Sequence, residues 1–388
     1  MLPQPPATVT DARSPAGTSP SRTPGERRRR QFLRFSETEC TNDPLYVALC
    51  RLLADRPQAL ALLDRAPLTQ QRPNLLLAAI HERVLAGFAG ELAVYFPSAG
   101  GRRPIDAALG AALDGVLADQ WPALAAHCEH RQTQTNEIGR CAVLWPALSH
   151  VACLTGKTRL ALLDFGCSAG LNLGVDRYIY ADGDGLPNGL AAPGTPRIVC
   201  RPVHGGSEPP VPAQVEVVAR IGIDPAPVNL AQAAQRRWLR ACIWPSEEER
   251  ARRFELAAEI VLAQRWTIRR EPDCAAAIEP WLDSLPKDVQ PVVFNSWVLA
   301  YFEAAALESH LNFMRGLVQR RGLVWISAEG PGLLLGPLPP AGPGDDKVSS
   351  AELANGSLWW LTLPGPDSAP VSTLLARSHP HGRWVQWV

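Results

Sequence analysis

This 388-residue chain has no excess of either charge, no long apolar run and no cysteine pair at metal or redox spacing. Each absence removes a class of function. With 38 basic and 38 acidic residues the formal net charge is zero. The composition therefore carries no general attraction to nucleic acid or anionic lipid. No apolar stretch approaches the roughly 18–20 residues of a membrane span, and the first residues lack the apolar core of a signal peptide. The nine cysteines are scattered and no C-x-x-C occurs, the usage of reduced thiols in a cytoplasmic protein. His127-Cys128-Glu129-His130 is the richest local set of metal-type ligands. It has no partner pair elsewhere, so a solvated helix face is the simpler reading and no metal is expected.

What is present is a hydrophobic share of 46%, enough for one large domain with additions or for two domains. Residues 1–30 are rich in Pro, Ser, Thr and Arg and read as a disordered tail, with Arg27 to Arg30 solvated at its edge. Residues 31–154 carry apolar stripes at three-and-four spacing, punctuated by prolines, and predict a helical N-terminal region. From 155 to 388, strand and helix patterns alternate. β-like runs fall at 160–163, 215–223, 266–270, 292–294 and 322–327. Helices are predicted over 229–243, 246–264, 275–285 and 299–320, the second with Ser246 and Glu249 as a capping box. Two late strands are expected at 358–363 and 384–388. The alternation predicts a doubly wound, mostly parallel α/β sheet of Rossmann-like type. Ligands of such sheets sit outside the carboxyl ends of the strands, where Asp164, Asp224, Asp273, Asn295 and Glu329 arrive.

The central stretch is R-L-A-L-L-D-F-G-C-S-A-G-L-N-L, from Arg159 to Leu173. Its strand, glycine turn and helix start suit a polar ligand. Three chemistries use such a turn. A dinucleotide site wants G-x-G-x-x-G, and Ser168 occupies the second glycine position. A serine hydrolase wants G-x-S-x-G, which Gly166 to Gly170 match, with His310, His379 and His381 downstream. An S-adenosylmethionine turn wants an acid two residues before the first glycine and a glycine four after it, as Asp164, Gly166 and Gly170 provide. The hydrolase has no use for a carboxylate beneath its elbow, and no oxyanion loop precedes Ser168. A fold that binds a ligand without turnover is the remaining reading.

The sequence resembles an uncharacterised bacterial family that carries four ordered motifs. They are Q-T-N-E-x-x-R (Gln134 to Arg140), [ED]-x-G-x-S-A-G-L-N-L with D-R-Y-x-Y (Asp164 to Leu173, Asp176 to Tyr180), G-[IL]-D-x-x-P (Gly222 to Pro227) and W-P-x-x-x-x-R (Trp244 to Arg250). The likeness runs from about Phe32 to the C-terminus; Asp164 stands for the more usual glutamate and Cys167 for a small residue. The family is similar to S-adenosylmethionine-dependent methyltransferases, which implies S-adenosylmethionine as cofactor.

The cofactor-binding set expected is therefore Asp164, Gly166, Ser168, Gly170, Asn172, Asp224 and Asp273. Asp224 would take the ribose hydroxyls and Asp273 the adenine amine. Asn295, Glu137 and Tyr178 are the residues expected to orient a methyl acceptor, a small molecule rather than nucleic acid. The Gln134 to Arg140 patch has two readings: a helix start capped by Thr135 or Asn136, or Glu137 and Arg140 on the rim of the site.

Overall fold

The apolar run at 160–163 becomes the middle of a strand whose side chains from Leu160 to Phe165 are all buried. The computed structural model describes residues 23–134, 136–181 and 194–388. Thr135, most of the tail and the Asp182-Gly183-Asp184-Gly185 stretch, which resembles part of a calcium loop, lie outside those residues. The strands are β1 (Arg159–Phe165), β2 (Ile179–Ala181), β3 (Arg197–Val199), β4 (Arg201–Pro202), β5 (Glu216–Asp224), β6 (Thr267–Arg270), β7 (Gln290–Ser296), β8 (Val324–Glu329), β9 (Ser357–Pro364), β10 (Pro370–Ser378) and β11 (Trp384–Trp387). The helices are α1 (Pro24–Thr38), α2 (Pro44–Ala54), α3 (Pro57–Ala61), α4 (Pro73–Leu85), α5 (Leu109–Asp119), α6 (Trp121–His130), α7 (Cys141–Thr155), α8 (Ala233–Ala241), α9 (Glu248–Gln264), α10 (Ile278–Asp283), α11 (Ala304–Arg321) and α12 (Ser350–Ala354).

The chain forms two units whose boundaries differ from the expected 31–154 and 155–388. One comprises Asn136–Val228 and Leu256–Val388; the other takes the described residues 23–134 together with Asn229–Glu255. The sheet unit thus claims α7, while the helical unit claims α8 and the start of α9.

In the sheet unit nine strands lie in the order β4-β11-β10-β9-β8-β7-β1-β5-β6. The run β6-β5-β1-β7-β8 is parallel throughout, and β9, β10 and β11 follow antiparallel. The chain leaves β1 toward β5 and β6, then returns to place β7 and β8 on the other side. The order reverses at β1, and a crevice opens at such a point. Strand alternation divides the side chains between two faces. Ala161, Leu163 and Phe165 join Ile221, Ile223, Val293 and Trp325 in a core with Ile278 of α10 and Met314 of α11. Asp164 points to the opposite face.

In the helical unit α1 begins after a Thr23 capping box, so residues 24–30, read as tail, enter a helix instead. Arg27, Arg29 and Arg30 are exposed as expected, Arg29 lying 3.2 Å from Asp55, while Arg28 is buried and pairs with Asp64. Ser246, two residues ahead of α9, donates its N–H and hydroxyl to Asp43 (3.1 and 2.7 Å). Trp244 packs on Phe35 and Tyr46, with ring centroids 6.1 and 6.0 Å away. In the 127–130 cluster, His127 reaches Glu82 (2.9 Å) and Cys128 is buried, so only part of that face is solvated. Among the described residues no three His, Cys, Asp or Glu side chains are grouped to hold a metal ion. The stretch Ile138–Thr155 is long and apolar enough to cross a membrane by composition, a length the sequence alone did not suggest. About two-thirds of it is buried within the fold.

Burial has a pH consequence here. Desolvation, reinforced by the Arg240 charge, pushes the fully enclosed His81 imidazole down to about 3 from its usual 6.5. Between those values the unfolded chain binds a proton that the folded chain refuses. The contribution is therefore complete above pH 6.5 and is lost as pH falls toward 3. Urea melts of the parent and His81→Asn should show the parent's relative stability falling roughly tenfold in folding constant per pH unit across that window. A pH-independent difference contradicts the burial.

Candidate functional site

β1 runs into Gly166, whose φ of +74° only glycine adopts readily, and a Cβ there would lie 2.6 Å from both methyls of Val298. Gly170 repeats the arrangement at φ +70°, against Ile268. Ser168 between them is held at φ +50° despite its side chain. The turn is fixed by its own hydrogen bonds. The N–H groups of Gly166 and Cys167 donate to the Ile223 carbonyl (2.9 and 3.1 Å), and that of Ser168 donates to Asp224 Oδ2 (2.8 Å). The Ala169 N–H donates to Asn136 Oδ1 (3.2 Å) and the Gly170 N–H to the Cys167 carbonyl (2.8 Å). Asn136 Nδ2 also donates to Ser168 Oγ (2.9 Å). All five N–H groups of the turn are thus committed within the protein. A 3₁₀ helix, Leu171–Arg177, follows in place of the expected α-helix.

Beneath the turn lies Asp164, 3% exposed, with Oδ2 enclosed and without a hydrogen-bond partner. Burial drives its pKa well above the usual carboxylate range. The Asp224 charge pushes the same way, and Arg140 opposes both. Register puts Asp164 level with Gly222 of β5, so Asp224, two residues on, shares its face. Asp224 accepts from Ser168 through one oxygen and from the Ala226 N–H through the other (2.7 Å). It is a strut of the turn. Asn172 Oδ1 accepts from the Cys141 thiol (3.3 Å).

The sheet separates the remaining expected residues. Phe165 is level with Asn295, so Asn295 faces the α10 and α11 core and not the Asp164 side. Its amide is fully engaged there, donating to Ser327 Oγ and Glu329 Oε1 (3.0 and 2.7 Å) and accepting from Trp325 Nε1 (2.7 Å). Glu329 Oε1 also takes the N–H groups of Val298 and Leu299, while its Oε2 is enclosed without a partner. Burial raises the Glu329 pKa. Tyr178 is buried, and its hydroxyl donates to the Leu171 carbonyl, bracing the 3₁₀ helix. Asp273 is exposed, beyond β6, and caps a turn through the Ala276 N–H (3.1 Å).

Both readings of the Gln134 to Arg140 patch contain part of the arrangement. Glu137 caps the short turn Ile138–Arg140, accepting from the Gly139 N–H (2.7 Å). Arg140, buried, donates to the Pro380 carbonyl (2.9 Å) and to both oxygens of Ser296 (3.0–3.1 Å) at the tip of β7. Asn136, read only as a cap, is the residue that ties this patch to the glycine turn. Trp297, held at φ +58° just past β7, went unremarked in the sequence because nothing local marks its backbone.

A family model described as "Uncharacterized protein conserved in bacteria (DUF2332)" matches residues 29–387. No match was found among curated proteins, and none among solved structures.

Proposed function

We propose that this chain, which belongs to the bacterial family DUF2332, is an S-adenosylmethionine-dependent methyltransferase whose cofactor sits at the carboxyl edge of β1 and β5. The observation that carries the reading is the commitment of every turn N–H to a protein acceptor. A pyrophosphate cofactor draws its affinity from unpaired N–H groups at such a turn, and here none is left to give. Asp224 supplies negative charge on this face, and Asp164 adds to it once a bound cation draws off the proton that burial holds there, with Arg140 opposing both. That favours a ligand carrying positive charge and disfavours polyphosphate. S-adenosylmethionine brings a sulfonium and an ammonium and no phosphate. The order β6-β5-β1-β7-β8 corresponds to the 3-2-1-4-5 run of nucleotide-binding sheets.

On this reading Asp164 receives the ammonium, and the glycines admit the ligand close to the backbone. Asp224 accepts a ribose hydroxyl through the lone pairs its two backbone bonds leave over. The bound sulfonium supplies an already activated methyl group, so the protein has to position an acceptor and exclude water. Neither Asn295 nor Tyr178 is given the acceptor-orienting role, because their polar groups are committed elsewhere.

The positive φ at Ser168 is the one feature that favours a hydrolase elbow instead. The histidines have other neighbours: His310 packs on Phe165, Phe302 and Trp325, and His379 and His381 pack on each other. Calorimetric titration separates the two. Micromolar binding of S-adenosylmethionine and S-adenosylhomocysteine, with none of NAD, is the expected result. No binding of the first two, with fluorophosphonate labelling of Ser168, overturns the proposal.

A further inference from the structure

The helical unit holds a cavity of about 390 Å³, lined in part by Ser98, Arg240, Glu248, Glu249, Arg252 and Glu255. Its carboxylates already have cationic partners. Glu248 lies 3.2 Å from Arg102, Glu249 lies 2.8 Å from Arg252, and Glu255 lies 2.6 Å from Arg236. Arg240 is the under-compensated charge. Its Nε stands 4.0 Å from Glu255, and its buried Nη1 has no hydrogen-bond partner. A half-buried guanidinium in that state is stabilised by any anion that enters beside it.

Ser98 completes the recognition. Its Oγ is 2.6 Å from His81 Nε2, and His81 Nδ1 is 3.0 Å from the Ala241 carbonyl. A carbonyl only accepts, so the neutral ring carries its proton on Nδ1, and Nε2 takes the serine hydroxyl hydrogen. The pair has the outline of a nucleophile and base. It cannot serve as one, because the enclosed imidazole beside Arg240 resists protonation down to about 3. What the pair does is orient Ser98: its hydrogen is spent inward, and only lone pairs face the cavity. A ligand must bring an anionic group for Arg240 and a donor for Ser98.

We propose that this cavity binds a small carboxylate carrying a hydroxyl or ammonium group beside the carboxylate. Nothing in the inference depends on the methyltransferase reading. The matched probes are 2-hydroxybutyrate, 2-aminobutyrate and butyrate, titrated calorimetrically into the full chain. The first two should bind about tenfold more tightly than butyrate, the worth of one good hydrogen bond. Arg240→Gln should abolish binding of all three. Ser98→Ala should leave butyrate unchanged and bring the other two down to it. Equal affinity for the three probes in the parent chain, absence of binding, or affinity that survives Arg240→Gln overturns the proposal. If Arg240→Gln loses its cooperative melt, Ser98→Ala decides alone: retained discrimination between the probes refutes it.

Discussion

Asp164→Asn should melt higher than the parent chain at pH 8 and should no longer bind S-adenosylmethionine. The carboxyl is enclosed and one oxygen has no partner. Removing such a group's charge without changing its shape recovers a desolvation penalty of about 1–3 kcal/mol. The sign with pH follows from the raised folded pKa. The protonated acid is tolerated in the folded chain, so the parent loses stability as pH rises from its unfolded value near 3.8 through the folded one. The asparagine variant has no such loss. Its advantage is therefore greatest at high pH and vanishes toward pH 4. Scanning calorimetry from pH 4 to 8 reads the crossover, and titration with S-adenosylmethionine reads the function. A variant that is stabilised yet still binds leaves the energetics standing and removes the ammonium contact. One that is destabilised at pH 8 overturns the burial argument itself.

The second large effect belongs to a crossing of two backbones. A Cβ on Gly382 would fall inside the Gly139 carbonyl, and one on Gly139 inside the His381 carbonyl. Gly382 also lies at φ +67°. Gly382→Ala should lose about 2–5 kcal/mol, the sum of left-handed strain and a clash that neither main chain can relieve by a side-chain rotation. Gly156→Ala isolates the strain alone: Gly156 has nearly the same φ, +68°, with open space around it. It should lose only about 1 kcal/mol. The comparison is made by urea unfolding, and equal losses would deny the crossing. The stakes reach the site, because Arg140 leaves the same segment to bond Pro380 and Ser296.

How much of this was legible beforehand depends on range. The glycine turn and the parallel strands are written in short local runs, and β1, β5, β6, β7 and β8 fall where those runs predict. β10 was missed because it opens on Pro370 and its residues Val371 to Thr373 mix polar and apolar types without a clean run. Asp164, Asp224, Asn295 and Glu329 lie at the carboxyl ends of β1, β5, β7 and β8, but they do not share one face of the sheet. A single-residue offset between Asp164 and Phe165 sends Asn295 to the other side of the sheet, and only register reveals it. Asn136 was placed at a helix start by its type. That its amide spans to Ser168 and Ala169 is a contact over more than thirty residues, which no local pattern encodes.

Synthesis proceeds from one end, and the division of the chain gives that order a meaning. The helical unit takes Trp238 into its core and Trp244 against it, yet both residues emerge from the ribosome after β1 and β5. The nascent N-terminal helices must wait for about a hundred further residues with part of their apolar surface uncovered. A fragment ending near 154 would carry that exposed surface permanently, so the helical half of this protein is not separable by cutting where its first run of helices ends.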